Sequence, residues 1–270
     1  MMCNKKEYTA RDYRKDLVDQ IKTYFSDQPK GTKAIIGMSG GKDSTVCAAL
    51  LVEALGAENV IGVLIPNKSM TVLDARIATD VCKSLDMKYY IFDIGPACEA
   101  LYSQFGEEEA NNNSVITTNT PARLRMTVLY MFAADNNGRV INTSNASETY
   151  IGYSTKYGDS AGDFAVLKKY SATEVYSIGE TYVDDEILEF SHIHTIPSDG
   201  MSGKSDEEKL GFTYKELDDY LLNGIVPTDV EHFRLIKTWH DGTAHKRRQM
   251  PECTRICPAQ KISYGGDWEF

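Results

Sequence analysis

Long hydrophobic runs are missing from this sequence. No stretch of its 270 residues approaches the ~18–20 apolar residues that a membrane-spanning helix needs, and the opening MMCNKKEYTARDYRKD lacks the apolar core of a secretory signal. A soluble, cytoplasmic protein with no membrane partner is the expectation. Positive charge is also scarce: 29 Lys and Arg stand against 39 Asp and Glu, a net charge of -10. A surface of that sign repels a polyanionic backbone, which argues against broad RNA or DNA binding. Cysteine is used sparingly. Cys3, Cys47, Cys82, Cys98, Cys253 and Cys257 show no disulfide-framework spacing, and the last two form a lone CxxxC rather than the CxxC pair of a zinc site. Internal repeats, low-complexity tracts and an interdomain linker are absent too. With 42% hydrophobic and 25% charged side chains, residues 1–270 suffice for one domain with a sizeable core.

What is present alternates in period. Leu17, Ile21, Tyr24 and Phe25 carry helical spacing and predict an amphipathic opening helix. KAIIGM is a short β-branched run ending a strand, followed by a helix over 43–55 closed by Gly56. NVIGVLIP then predicts a second strand, Ile77, Val81 and Leu85 a helix, KYYIFDIG a third strand, and 97–105 another helix. The polar, Asn-rich GEEEANNNSVITTNTP reads as a loop, 122–135 as a helix, and RVINTSN as a fourth strand. Strands alternating with helices imply an α/β fold, a doubly wound parallel sheet flanked by helices. Residues 148–167 are rich in Gly, Ser, Thr and Asp without an apolar period, as an active-site loop would be. Helices are expected at 172–182, 184–192 and 214–222, and a DG turn at Asp241 and Gly242.

The chemistry centres on SGGKDS, Ser39 to Ser44. Gly40 and Gly41 allow a tight turn and close approach to a ligand, and the helix that follows aims free N–H groups at an anion. Ser39, Ser44 and the Lys42 ammonium can add hydrogen bonds and charge, and the Asp43 carboxylate can hold a cation that bridges phosphate oxygens. A Walker A loop would place Ser or Thr directly after the lysine; here Asp43 stands there. A plain Gly-Gly turn with a helix cap is the non-functional alternative.

SGGKDS resembles the signature of the ATP-pyrophosphatase superfamily, whose members cleave ATP between the α- and β-phosphates and adenylate a substrate. Within it, NTPARLRM (119–126), TSNASETYIGYSTKYGDSAGD (143–163), the PSDG and SDEEKLGFTYKELDDYL blocks, and HKR (245–247) resemble the ammonia-dependent NAD synthetases. That resemblance implies a Rossmann-like fold and a homodimer. It implies amidation of nicotinic acid adenine dinucleotide to NAD with ATP, ammonia and Mg2+, through an adenylated carboxylate. Carried over by position, it implies ATP contacts at Gly37, Met38, Ser39, Gly40, Gly41, Lys42, Asp43, Ser44, Thr143 and Ser198, with Lys42 and Asp43 catalytic. Dinucleotide contacts fall on Arg123, Lys156, Asp163, His245 and Lys246, and magnesium on Asp43 and Glu148. Taken singly, Arg123 with Arg125, Lys156 with Asp163, and the HKRR run also read as ordinary solvated charge. Two positions depart from the family: Ala172, with Lys168 and Lys169 just before it, where an ATP-site lysine is usual, and Ser198 with the GMSGK that follows where the family has threonine and an acidic, proline-rich loop. Glutamine-using relatives carry an added amidohydrolase domain, and about 38 residues before the loop leave no room for one, so free or delivered ammonia is expected. Another ATP-pyrophosphatase, such as a tRNA-modifying one, or a nucleotide-binding sensor without catalysis are the competing readings.

Overall fold

A computed structural model describes residues 8–67, 71–194 and 205–248 of the chain. Ser198, its neighbouring loop, Cys3, Cys253 and Cys257 lie outside the described residues.

Five strands form one parallel sheet: β1 (Lys33–Gly37), β2 (Val60–Leu64), β3 (Lys88–Ile91), β4 (Gly138–Asn142) and β5 (Phe164–Ala165), in the order β3-β2-β1-β4-β5. Of these, β1 and β2 are buried on both faces, as their unbroken apolar sequences require. The helices are α1 (Ala10–Ser26), α2 (Lys42–Leu55), α3 (Val72–Ser84), α4 (Gly95–Phe105), α5 (Glu107–Asn111), α6 (Ser114–Asp135) and α7 (Ala146–Ile151) in the first part of the chain. They continue as α8 (Ala172–Asp184), α9 (Phe190–Ile193), α10 (Asp206–Leu210), α11 (Tyr214–Asn223), α12 (Val230–Gly242) and α13 (Ala244–Arg247).

Alternation along β1 divides the core. Ala34 and Ile36 face a cluster with Leu17 and Ile21 of α1, Leu50 and Leu51 of α2, Val81 of α3 and Ile178 of α8. Ile35 faces the opposite cluster with Cys98 of α4 and Met126, Leu129 and Ala133 of α6. A third cluster, Ile151, Ala172, Leu210, Phe212, Leu217 and Ile236, joins α7, α8 and α10 to α12. Cys47, Cys82 and Cys98 are buried free thiols, as packing residues should be, and burial pushes the Cys82 thiol up to about 12. Among the described residues no helix is long and apolar enough to cross a membrane.

The doubly wound parallel sheet is borne out, with local corrections. The Asn-rich segment is helical: the Asn113 side chain accepts from Val115 N and Ile116 N and starts α6 eight residues before the expected point, and α6 runs through a buried Pro121. The stretch 148–167 is not wholly irregular. It opens in α7 and ends in β5, whose two residues pair with Ile141 and Asn142. The helix expected over 184–192 is only Phe190–Ile193, because Glu186 takes a positive φ of 59° just past the end of α8. Asp241 and Gly242 close helix α12 instead of making a separate turn.

Candidate active site

The SGGKDS loop sits where β1 hands over to α2. Met38 still belongs to the sheet: its N–H donates to Val63 O at 2.9 Å and its side chain is buried in the core, so only its backbone faces a ligand. Gly40 takes φ +85°, and a Cβ there would lie 2.4 Å from Asp74 O, so the turn is possible only for glycine. The loop is tied internally, with Gly41 N donating to Ser39 Oγ at 3.2 Å, Ser39 Oγ 3.1 Å from Ser44 Oγ, and Ser44 Oγ donating to Gly41 O at 3.0 Å. Gly41 caps α2 without any side-chain hydrogen bond. The first N–H groups of α2 therefore face the loop as donors suited to an anion.

Lys42 is 4% exposed, and its Nζ donates to Asp43 Oδ2 at 2.8 Å. The ammonium also lies 5.1 Å from the Tyr176 ring centre and 5.6 Å from that of Tyr214. Burial alone would favour neutral lysine, but the Asp43 and Glu148 carboxylates outweigh it and raise the Lys42 pKa above the ordinary lysine value. The lysine stays a cation beside the loop.

Glu148 comes from α7, beyond the C-terminal end of β4. Asn145 brings the carboxylates together: its Nδ2 donates to Asp43 Oδ1 at 3.0 Å, its backbone N donates to Glu148 Oε2 at 3.2 Å, and its Oδ1 accepts from Glu148 N at 2.9 Å. Burial, then the nearby Asp43 charge, push the Glu148 carboxyl up to about 8. Asp43 and Glu148, each linked to Asn145, are hard oxygen donors of the type a divalent cation accepts. Among the described residues no group of three His, Cys, Asp or Glu forms a complete cage. Asn145 was not singled out from the sequence, although Asn-x-x-Glu is a capping-box pattern that marks it.

The inferred dinucleotide contacts come mostly into one place. Arg123 on α6 donates to Lys156 O at 3.3 Å, Lys156 Nζ donates to His245 O at 2.9 Å, and Lys246 Nζ donates to Gly152 O at 2.8 Å and Ser154 O at 2.6 Å. Residues from three distant stretches thus converge on the turn after α7. Thr143 follows β4 at the same strand ends. Asp163 is engaged elsewhere: its Oδ1 accepts from the Tyr130 hydroxyl at 3.0 Å and its Oδ2 from Val140 N at 2.7 Å.

At Ala172 a different arrangement stands where the family lysine is usual. The Ala172 N–H donates to Ser147 Oγ at 2.9 Å, Ser147 Oγ donates to the Asp218 carboxylate, and Asp218 Oδ2 accepts from Thr173 N at 2.8 Å. Ser147 and Asp218 are 0% and 2% exposed. This buried knot ties α8 and α11 to α7, the helix that carries Glu148. Lys168 and Lys169 are exposed and do not take the alanine's place in it.

Comparison with known proteins places this geometry. The NAD synthase family profile matches residues 13–250. NH(3)-dependent NAD(+) synthetases of Methanococcus aeolicus and Finegoldia magna are each 37% identical, over 70% and 80% of this chain and 73% and 85% of their own lengths. Among solved structures, an NMN synthetase from Francisella tularensis superposes with TM-score 0.82 at 31% identity, covering 92% of this chain and all of that one. An NH3-dependent NAD synthetase from Campylobacter jejuni superposes with TM-score 0.72 at 26% identity, over the same 92% and the whole of its chain. A parallel sheet with its phosphate loop after the first strand, carboxylates from α2 and α7, and relatives matched along most of their length lead to one assignment: the chain belongs to the NAD synthase family, a family of ligases.

Proposed function

We propose that this protein amidates the nicotinate carboxylate of nicotinic acid adenine dinucleotide, using ATP and ammonia. The observation that carries the reading is the meeting of Lys42, Asp43 and Glu148 at the mouth of a glycine loop, joined through Asn145. In the first step a carboxylate oxygen attacks the α-phosphorus and the bond to the β-phosphate oxygen breaks, releasing pyrophosphate. In the second, ammonia attacks the carbonyl carbon of the mixed anhydride, AMP leaves with the bridging oxygen, and a proton is lost from nitrogen. Charge neutralisation and alignment carry most of such a reaction, and little acid–base help is needed. Lys42 and the N–H groups of α2 would receive the leaving pyrophosphate, while Ser39, Ser44 and Thr143 would fix the triphosphate. Asp43 and Glu148 would hold Mg2+, which when bound supplies positive charge beside the phosphates. Arg123, Lys156, His245 and Lys246 form a basic surface suited to a substrate carrying phosphates.

The Francisella tularensis resemblance favours a second substrate reading, in which the acid is nicotinic acid mononucleotide and the product its amide. One assay separates the readings. Purified protein is given ATP, magnesium and ammonium with either acid, and kcat/KM is compared, with glutamine replacing ammonium in parallel. Preference for the dinucleotide and no turnover with glutamine is the expected result; preference for the mononucleotide transfers the assignment. AMP and pyrophosphate with neither acid, or no ATP cleavage at all, would reject both. Chelation with EDTA should abolish turnover and excess magnesium restore it.

We place the enzyme in the cytoplasm as a homodimer. Leu101 and Phe105 on α4 and Val115 and Met131 on α6 are exposed apolar side chains on the layer covering one sheet face, suited to burial against a second copy. Light scattering at micromolar concentration checks it.

A further inference from the structure

Tyr214, the first residue of α11, is 5% exposed, and its hydroxyl oxygen is buried without a hydrogen-bond partner among the described residues. The rest of the residue is well anchored. Its backbone N donates to Glu207 Oε1 at 2.8 Å, its ring packs in the cluster with Leu210, Phe212 and Leu217, and that ring stands 5.6 Å from Lys42 Nζ. A buried hydroxyl left unpaired is a standing destabilisation, and native interiors seldom keep one without a use. Here the unpaired group belongs to a side chain packed against the loop lysine.

We propose that the Tyr214 hydroxyl donates a hydrogen bond to a phosphate oxygen of bound ATP beside Lys42, and keeps that bond to the pyrophosphate as it leaves. In the free enzyme the lysine is held by Asp43, with Tyr176 and Tyr214 against its ammonium. A polyphosphate that competes with Asp43 for that ammonium would set its oxygens beside the Tyr214 ring, which stands 5.6 Å from Lys42 Nζ. Burial, then the charges of Glu148, Asp206 and Asp43, hold the phenol far above its ordinary pKa, so its proton is always available to donate. Tyr214 is on this account a polyphosphate-binding residue, read from its orphaned oxygen and its place beside Lys42. The inference rests on the ATP half of the proposed function and is independent of which acid is amidated.

The test is Tyr214→Phe in the full chain, which removes one oxygen and keeps the ring. Binding of ATP, pyrophosphate and AMP is measured by calorimetry with no acid substrate present, alongside ligand-free unfolding in denaturant. A hydrogen bond to a charged acceptor corresponds to roughly ten- to a hundred-fold in affinity. Expected are that loss for ATP and for pyrophosphate, unchanged AMP binding, and ligand-free stability equal to or above the wild type. Unchanged pyrophosphate binding, or AMP binding weakened as much as ATP binding, would overturn the proposal. So would a less stable ligand-free variant with unaltered ATP affinity, since the hydroxyl would then serve the fold. If wild type binds these ligands as expected yet amidates no nicotinate, the acid assignment falls and this inference stands.

Discussion

Replacing Asn145 with alanine removes a side chain that does two things. Its Oδ1 caps α7 by accepting from Glu148 N, and its Nδ2 donates to Asp43 Oδ1 across 102 residues of chain. Loss of an Asn cap destabilises by about 1 kcal/mol, and loss of a hydrogen bond to a charged group by about 1.5–3 kcal/mol. Asn145 is 0% exposed, so bulk water does not simply take its place. The expected total is about 2.5–4 kcal/mol, which for a chain of this size lowers Tm by about 5–15 °C. The hydrogen bond to Asp43 also positions the carboxylate that the proposed function assigns to the reaction; its loss from the transition state would slow turnover by roughly ten- to a hundred-fold. Asn145→Asp separates the two roles. It keeps the oxygen that caps α7 but sets a second carboxylate against Asp43, so turnover should fall below that of Asn145→Ala. Thermal unfolding and pyrophosphate release at saturating ATP, acid and ammonium measure both effects. The reasoning is refuted if Asn145→Ala turns over within twofold of wild type, or if Asn145→Asp is the more active of the two.

Gly40→Ala should lose about 1–2 kcal/mol from its positive φ alone, and more from the Cβ placed against Asp74 O, with ATP binding lost in calorimetry; a stable, ATP-binding variant would refute the loop geometry. Asp218→Ala leaves Ser147 Oγ and Thr173 N without an acceptor, and at about 1–3 kcal/mol for each stranded group, equilibrium denaturation should show a loss of about 2–5 kcal/mol. Asp185 offers a pH test. Hydrogen bonds from Arg11 and then Arg14 depress its carboxyl from the ordinary 3.8 to about 2. A depressed folded-state value contributes stability that is fully present above 3.8 and fades as pH falls through about 2. The denaturation midpoint of Asp185→Asn should therefore lie below wild type at pH 7 and pH 5, and the gap should narrow between pH 3.8 and pH 2. A gap that widens on acidification would contradict the ion-pair assignment.

Local pattern reached different parts of this molecule unequally. β1, β2 and the helix stripe at Ile77, Val81 and Leu85 were legible because both faces of those strands, and one face of that helix, are buried, which forces an apolar period into the sequence. α6 was legible only in its second half. In its first half an Asn cap and tertiary cover on Pro121 override the weak helix preference of an Asn- and Thr-rich stretch, and neither is a periodic signal. β5 was missed because two residues carry no period, and the pairing with β4 alone defines it. In the site the division follows sequence distance. Lys42 and Asp43 are adjacent, and their chemistry could be read from the loop itself. Asn145 with Asp43, Ser147 with Asp218 across 71 residues, and Tyr214 beside Lys42 are created by packing. Asn145, Ser147 and Tyr214 sit where the local pattern states only that a helix begins. At the entrance of α7 Asn145 donates to Asp43, and at the start of α11 the Tyr214 ring stands 5.6 Å from Lys42 Nζ. Lys42, Asp43 and Glu148 were singled out from the sequence, whereas only the packing reveals the Asn145 link between the two carboxylates and the unpartnered Tyr214 hydroxyl.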